Sequence, residues 1–116
     1  MLKATPKNKS RKDEYLMNKT IIEMITFQIK KEVSEEHLLK VFHALNKVLQ
    51  NDIDGFIKRS LIKECTGDNW VELIWWNSMD AAQAALENLP QYAEFQQYCS
   101  VMKEDGMTMI YLEEKA

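Results

Sequence analysis

Glu23 stands inside the apolar run IIEMITF, and a carboxyl group buried there must either find a partner or hold its proton to a higher pH. Its carboxylate form, made more basic by burial, can serve as a general base toward an acidic phenol or enol. Its plainer roles are a salt bridge to Arg59 or Lys63, or exposure near a strand end. Trp76 closes the segment WVELIWW, where its large ring can stack on a flat organic ligand while its N–H finds an acceptor. The same ring would also serve as core packing beneath helices. Arg59 offers a planar fork that can orient an anionic oxygen, or can simply satisfy Glu23 or Glu72. Tyr111, near the end of the chain, can donate to a bound carbonyl or merely pack at a half-buried strand position. Glu23, Trp76, Arg59 and Tyr111 are therefore the candidate catalytic residues.

Metal chemistry has no comparable foothold. His37 and His43 are six residues apart, not the three or four that would place them on one helical face. Cys65 and Cys99 lack the repeated spacing of a ligand cluster or a disulfide framework, so free thiols in a reducing cytoplasm are expected. The seven methionines suit irregular gaps in a core better than a cofactor site. No metal and no cofactor is expected.

The elements that must position these residues follow from periodicity. TIIEMITFQIK is β-branched and aromatic, and alternation sets Ile21, Glu23, Ile25, Phe27 and Ile29 on one face of a strand. Ser34 is placed to cap a helix, with Glu35 and Glu36 complementing the positive end of its dipole. Leu38, Val41, Phe42, Leu45, Val48 and Leu49 then recur at steps of three and four, which predicts a helix of about four to five turns. After a break at Asn51 to Gly55, GFIKRSLIKE and WVELIWWN read as two strands joined as a hairpin through CTGDN. Ser78 caps a helix with the stripe Met79, Ala82, Leu86 and Leu89, and Pro90 interrupts it. Tyr92, Phe95, Cys99 and Met102 form a second stripe before EDGMTMIYLEE closes the chain as a strand.

The resulting order, βαββαβ, predicts an α+β ferredoxin-like sandwich with both helical layers on one side of a four-stranded antiparallel sheet. Its strands, however, are apolar on both faces. Ile22 and Met24 oppose Ile21 and Ile25, while Val71, Leu73 and Trp75 oppose Trp70, Ile74 and Trp76. A sheet with one wet face should alternate more cleanly. A bare face of that kind exceeds the apolar patch a soluble monomer tolerates, whereas covering ~800 Å² per subunit contributes a gross term on the order of 20 kcal/mol before association costs. The simplest cover is the same sheet in a twofold mate, so a homodimer is expected, with Trp75 at its seam.

At 116 residues, one domain is expected over 20–116, preceded by a basic tail over 1–19. That tail holds six basic and two acidic side chains, a net of +4, which leaves −7 for the remainder of a chain whose total is −3. It reads as a solvated, mobile terminus, and Met17 is an alternative start. An acidic domain is a poor phosphate reader, which argues against nucleic-acid binding, including single-stranded RNA on the open sheet. No apolar run reaches the roughly 18 to 20 residues of a membrane span, and MLKATPKNKSRKDEY lacks the apolar centre of a secretory signal.

Together, IIEMITFQIKKEVSEEHLLKVF, GFIKRSLI, WVELIWWNSMDAAQAAL and MTMIYLEE resemble the antibiotic biosynthesis monooxygenase-like branch of the dimeric α/β barrel proteins, over about residues 20 to 113. The resemblance implies a ferredoxin-like subunit, a barrel closed by two facing sheets, and a pocket between sheet and helices. Some members of that family oxidise aromatic polyketides without metal or flavin, and relatives degrade heme. The heme-degrading set combines a strand-one asparagine, a strand-three tryptophan and a helical histidine. Trp76 matches the tryptophan, but Ile25 or a neighbour fills the asparagine position, and no histidine lies between Gln83 and Lys103. Heme degradation by that route is not expected. What remains is a cofactor-independent monooxygenase-like protein for a small aromatic or enolic ligand, or a non-catalytic dimeric barrel that binds a small ligand or answers stress.

Overall fold

The structure, a computed structural model, describes residues 19–116. Apart from Lys19, the basic tail expected over residues 1–19 lies outside the described residues. Strand β1 runs Ile21–Phe27, helix α1 Glu35–Asp52, β2 Phe56–Lys63, β3 Trp70–Trp76, helix α2 Met79–Asn88, helix α3 Ala93–Ser100 and β4 Thr108–Glu113. The four strands form one antiparallel sheet in the order β2-β3-β1-β4, the expected ferredoxin-like arrangement.

Local chemistry fixes the helix starts. Ser34 accepts a hydrogen bond from the His37 N–H at 3.1 Å, and Ser78 does the same for Ala81 at 3.1 Å. Each cap satisfies a donor that the first turn leaves without a partner. In α1 the buried residues are Leu38, Val41, Phe42, Leu45, Val48 and Leu49, the whole of the predicted stripe. The α2 stripe differs from expectation. Ala82, Ala85 and Leu89 are buried, while Leu86 is 47% exposed. Pro90 lies in a 3₁₀ turn, Leu89–Gln91, that ends α2 and restarts the chain as α3. In α3 itself Tyr98 is the buried residue, and Cys99 faces partly outward.

Register explains which side chains meet. Ile21 pairs with Trp76, Glu23 with Ile74 and Phe27 with Trp70, and all six are buried beneath the helices. The opposite face carries Ile22, Met24, Val71, Leu73 and Trp75, half-buried, together with exposed Ile62, Ile110 and Leu112. Lys58 shares that face, its Nζ 4.5 Å from the centre of the Trp75 ring. A bulge at Ile57 shifts the pairing between Phe56 and Lys58, which returns Arg59 to the helix side. Gly55 precedes it with φ +85°, and a Cβ there would overlap the Ala81 Cβ at the start of α2. Its carbonyl accepts the Asn77 N–H at 2.9 Å. No helix among the described residues is long and apolar enough to cross a membrane.

Candidate functional site

Between the helix side of the sheet and the helices lies an apolar cavity of about 140 Å³. Glu23, Ile25, Glu72, Ile74 and Trp76 form its floor, and Leu45 and Leu49 of α1 form one wall. Ala82, Ala85 and Leu86 of α2 and Phe95, Tyr98 and Cys99 of α3 supply the others. Met102, Met107 and Met109 line the remaining side. Leu86, Met107 and Met109 are also exposed, which places the mouth of the cavity at those residues.

Two carboxyl groups reach this apolar space, each in a different setting. Trp76 donates its indole N–H to Glu23 Oε1 at 2.9 Å, a buried bond between β3 and β1. Glu23 and Trp76 share a face on adjacent strands and meet diagonally, because Glu23 is registered with Ile74 and Trp76 with Ile21. Burial pushes the Glu23 carboxyl above its ordinary range. The Trp76 bond works against that rise and the nearby Glu72 charge adds to it.

Glu72 is enclosed more completely. Arg59 Nε donates to Oε2 at 2.6 Å, and the Tyr98 hydroxyl donates to Oε1 at 2.8 Å. Arg59 in turn donates through Nη1 to the Phe42 carbonyl at 2.7 Å and to Asn46 Oδ1 at 2.9 Å, while its Cζ sits 3.6 Å from the centre of the Phe42 ring. Its Nη2 is buried without a hydrogen-bond partner among the described residues. Burial raises the Glu72 pKa, opposed by the Arg59 charge and by the bonds from Tyr98 and Arg59. Burial first, and then the Glu72 charge, hold the Tyr98 hydroxyl well above its usual value, so it remains a donor at neutral pH. The Cys99 thiol is raised in the same way.

The structure therefore brings Glu23 and Trp76 together at the cavity floor and sets the other two candidates apart. Arg59 does not line the cavity; its guanidinium is committed to Glu72, Phe42 and Asn46. Tyr111 is registered directly across from Glu23 on β4, half-buried and outside the cavity lining, and burial, with the Glu23 charge second, raises its pKa. Trp76 also packs edge-on against Phe56, with ring centres 6.0 Å apart. His43 is exposed and Cys65 lies in the hairpin turn. Among the described residues no group of three or more His, Cys, Asp or Glu side chains could hold a metal ion.

Two residues of this site escaped sequence reasoning. Tyr98 was one position away from the expected α3 stripe. Glu72 was read only as a partner for Arg59, although its place between Trp70 and Ile74 already marked it as buried.

No family model and no curated protein matches the chain in sequence. Solved structures do match its fold. SnoaB, a cofactor-independent oxygenase from Streptomyces nogalater, superposes with a TM-score of 0.69 at 13% identity, over 84% of this chain and 95% of its own. A candidate antibiotic biosynthesis monooxygenase from Caulobacter crescentus gives 0.65 at 17% identity, over 92% and 100%. A dimeric ferredoxin-like protein of unknown function from Jannaschia gives 0.61 at 10% identity, over 82% and 99%. The chain thus shares the fold of these structures, a ferredoxin-like subunit of the kind that its sequence resemblance implied.

Proposed function

We propose that the protein is a cytoplasmic, homodimeric, cofactor-independent monooxygenase-like enzyme, whose domain over residues 20–116 acts on a small aromatic or enolic substrate beside Trp76. The observation that carries this reading is the Glu23–Trp76 hydrogen bond on the floor of an apolar cavity open at one side. A carboxyl group with a raised pKa is matched to taking a proton near neutral pH from a phenol or enol. The resulting anion is electron-rich, and an enolisable CH₂ that reacts with O₂ becomes C=O with release of one water. Every electron for that step comes from the substrate itself. Trp76 fixes one oxygen of Glu23 and offers its ring edge to the bound molecule. Arg59 and Tyr111 act as positioning residues, the first by holding the Glu72 charge in place and the second by flanking Glu23 on β4. SnoaB, with the same fold, supports this chemistry by analogy alone.

Pairing of two copies is supported by the outer face of the sheet, where Ile22, Met24, Val71, Leu73, Trp75, Ile110 and Leu112 form one apolar surface. The dimeric Jannaschia protein has the same fold. Twice the monomer mass in dilute solution is expected by light scattering, and Leu73→Asp at the centre of that face is expected to give monomers. A single-chain mass for the unaltered protein removes the dimer.

The enzyme reading is tested by oxygen uptake with a panel of quinols and enolisable aromatic ketones. Uptake above spontaneous oxidation is expected, with Glu23→Gln lowering it by about 10²- to 10⁴-fold. No uptake with any member of the panel, alongside measurable binding, replaces the enzyme with the non-catalytic ligand-binding barrel.

A further inference from the structure

The polar groups of the cavity dictate what kind of molecule it can take, given the reading above that it is a ligand site. Both strong donors at its wall are committed. The Trp76 N–H goes to Glu23 Oε1 and the Tyr98 O–H to Glu72 Oε1, which leaves, among the described residues, only the Cys99 thiol, a weak donor. The acceptors are not all used. Glu72 Oε2 is closed off by Arg59, but Glu23 Oε2 receives no hydrogen bond from the described residues. A ligand that needs to accept strong hydrogen bonds finds nothing to satisfy it, whereas one O–H donor finds a carboxyl oxygen.

Charge narrows the class further. Among the described residues no Lys, Arg or His lines the cavity, and its two carboxyl groups are both acidic. A carboxylate, sulfate or phosphate entering it would lose its water, gain no counter-charge from those residues and face the Glu23 carboxyl. Size sets the last bound. About 140 Å³ is close to the ~150 Å³ apolar cavity that accommodates one benzene ring, so a fused multi-ring skeleton would not be enclosed.

We propose that the cavity selects a neutral, single-ring phenol or enol, with its hydroxyl donating to Glu23 Oε2, its ring against Ile74 and Ala85, and its substituents leaving between Leu86 and Met109. The hydrogen bond to a carboxyl oxygen provides the preference for a hydroxyl, and the apolar walls provide the rest of the affinity. Glu23→Gln should invert the polarity of the site. The amide oxygen can keep the Trp76 bond, which turns the NH₂ group, a donor, toward the ligand.

Calorimetric titration of the full chain with 4-methylphenol, toluene, 4-methylbenzoate and 4-methylacetophenone tests this directly. The expected ranking places 4-methylphenol about tenfold or more ahead of toluene, with 4-methylbenzoate weakest of the four. In Glu23→Gln, 4-methylphenol should fall to within about threefold of toluene while 4-methylacetophenone gains. Equal binding of phenol and toluene, binding of the benzoate as tight as the phenol, or an unchanged ranking in the variant overturns the proposal. Absence of binding by all four removes both the ligand class and the ligand site. Oxygen uptake separates the two readings. The expected ranking without turnover leaves the ligand class standing and ends the enzyme, while turnover without the ranking does the reverse.

Discussion

Glu72 and Glu23 stand on neighbouring strands of one sheet face, both buried, yet only one of them is closed. Glu72 receives Arg59 on one oxygen and Tyr98 on the other, and Arg59 is itself tied to α1 through Phe42 and Asn46. Among the described residues Glu23 receives Trp76 alone. The difference teaches that burial by itself does not mark a reactive acid. A buried carboxyl with a donor on each oxygen is a structural tie, whereas one with a donor on a single oxygen beside a cavity has chemistry still available to it.

The sharpest way to break the comparison is at Arg59. Arg59→Met leaves Glu72 buried without its cation and should cost about 3–5 kcal/mol in urea unfolding, much of it recovered when Glu72→Gln is added. Tyr98→Phe removes one donor to the same carboxyl and should cost about 1–3 kcal/mol by the same measurement. Glu23→Gln, on the other side of the comparison, should change stability by less than about 1 kcal/mol while abolishing turnover or ligand preference. A large loss of stability in that variant would make the two carboxyls alike.

The smallest effect is the dependence on pH. Because burial raises the folded-state pKa of Glu23 above its ordinary 4.5, the folded protein holds that proton more tightly than the unfolded chain. The associated stability is fully present below 4.5 and is lost as pH rises through the folded-state value. The groups around Glu23 are Glu72 on β3, Tyr111 on β4 and Tyr98 and Cys99 on α3. Glu72 is shifted upward too and contributes in the same direction, whereas the tyrosines and the thiol stay protonated across that window. Urea midpoints measured from pH 4.5 upward should therefore fall in the unaltered protein and fall less in Glu23→Gln.

Much of this arrangement was legible in the sequence. The α1 stripe, both serine caps and the strand order follow from spacing alone, since each depends on local periodicity. Glu23 and Trp76 were each legible as candidates, but not as partners, since the sequence offered Arg59 or Lys63 to Glu23 and the bond to Trp76 depends on register. The partner of Arg59 was not, and register decides it. Arg59 stands opposite Ile74, which stands opposite Glu23, so two ladder spacings separate the arginine from Glu23, while Glu72 is a diagonal neighbour on the adjoining strand. Tyr98 was hidden for another reason. The 3₁₀ turn at Pro90 resets the helical phase, and a helix as short as α3 takes its buried side from what it packs against rather than from its own pattern.

Gly55 touches neither carboxyl, yet the height of the roof above them is set there. Its missing side chain lets the β2 entry sit flush against Ala81, one residue before the first small side chain of the cavity wall. Any larger residue at 55 would have to lever the head of α2 outward as well as adopt an unfavourable backbone angle. The width of the chamber is thus governed from outside it, and substitutions at this remote position should register as altered ligand fit before they register as misfolding.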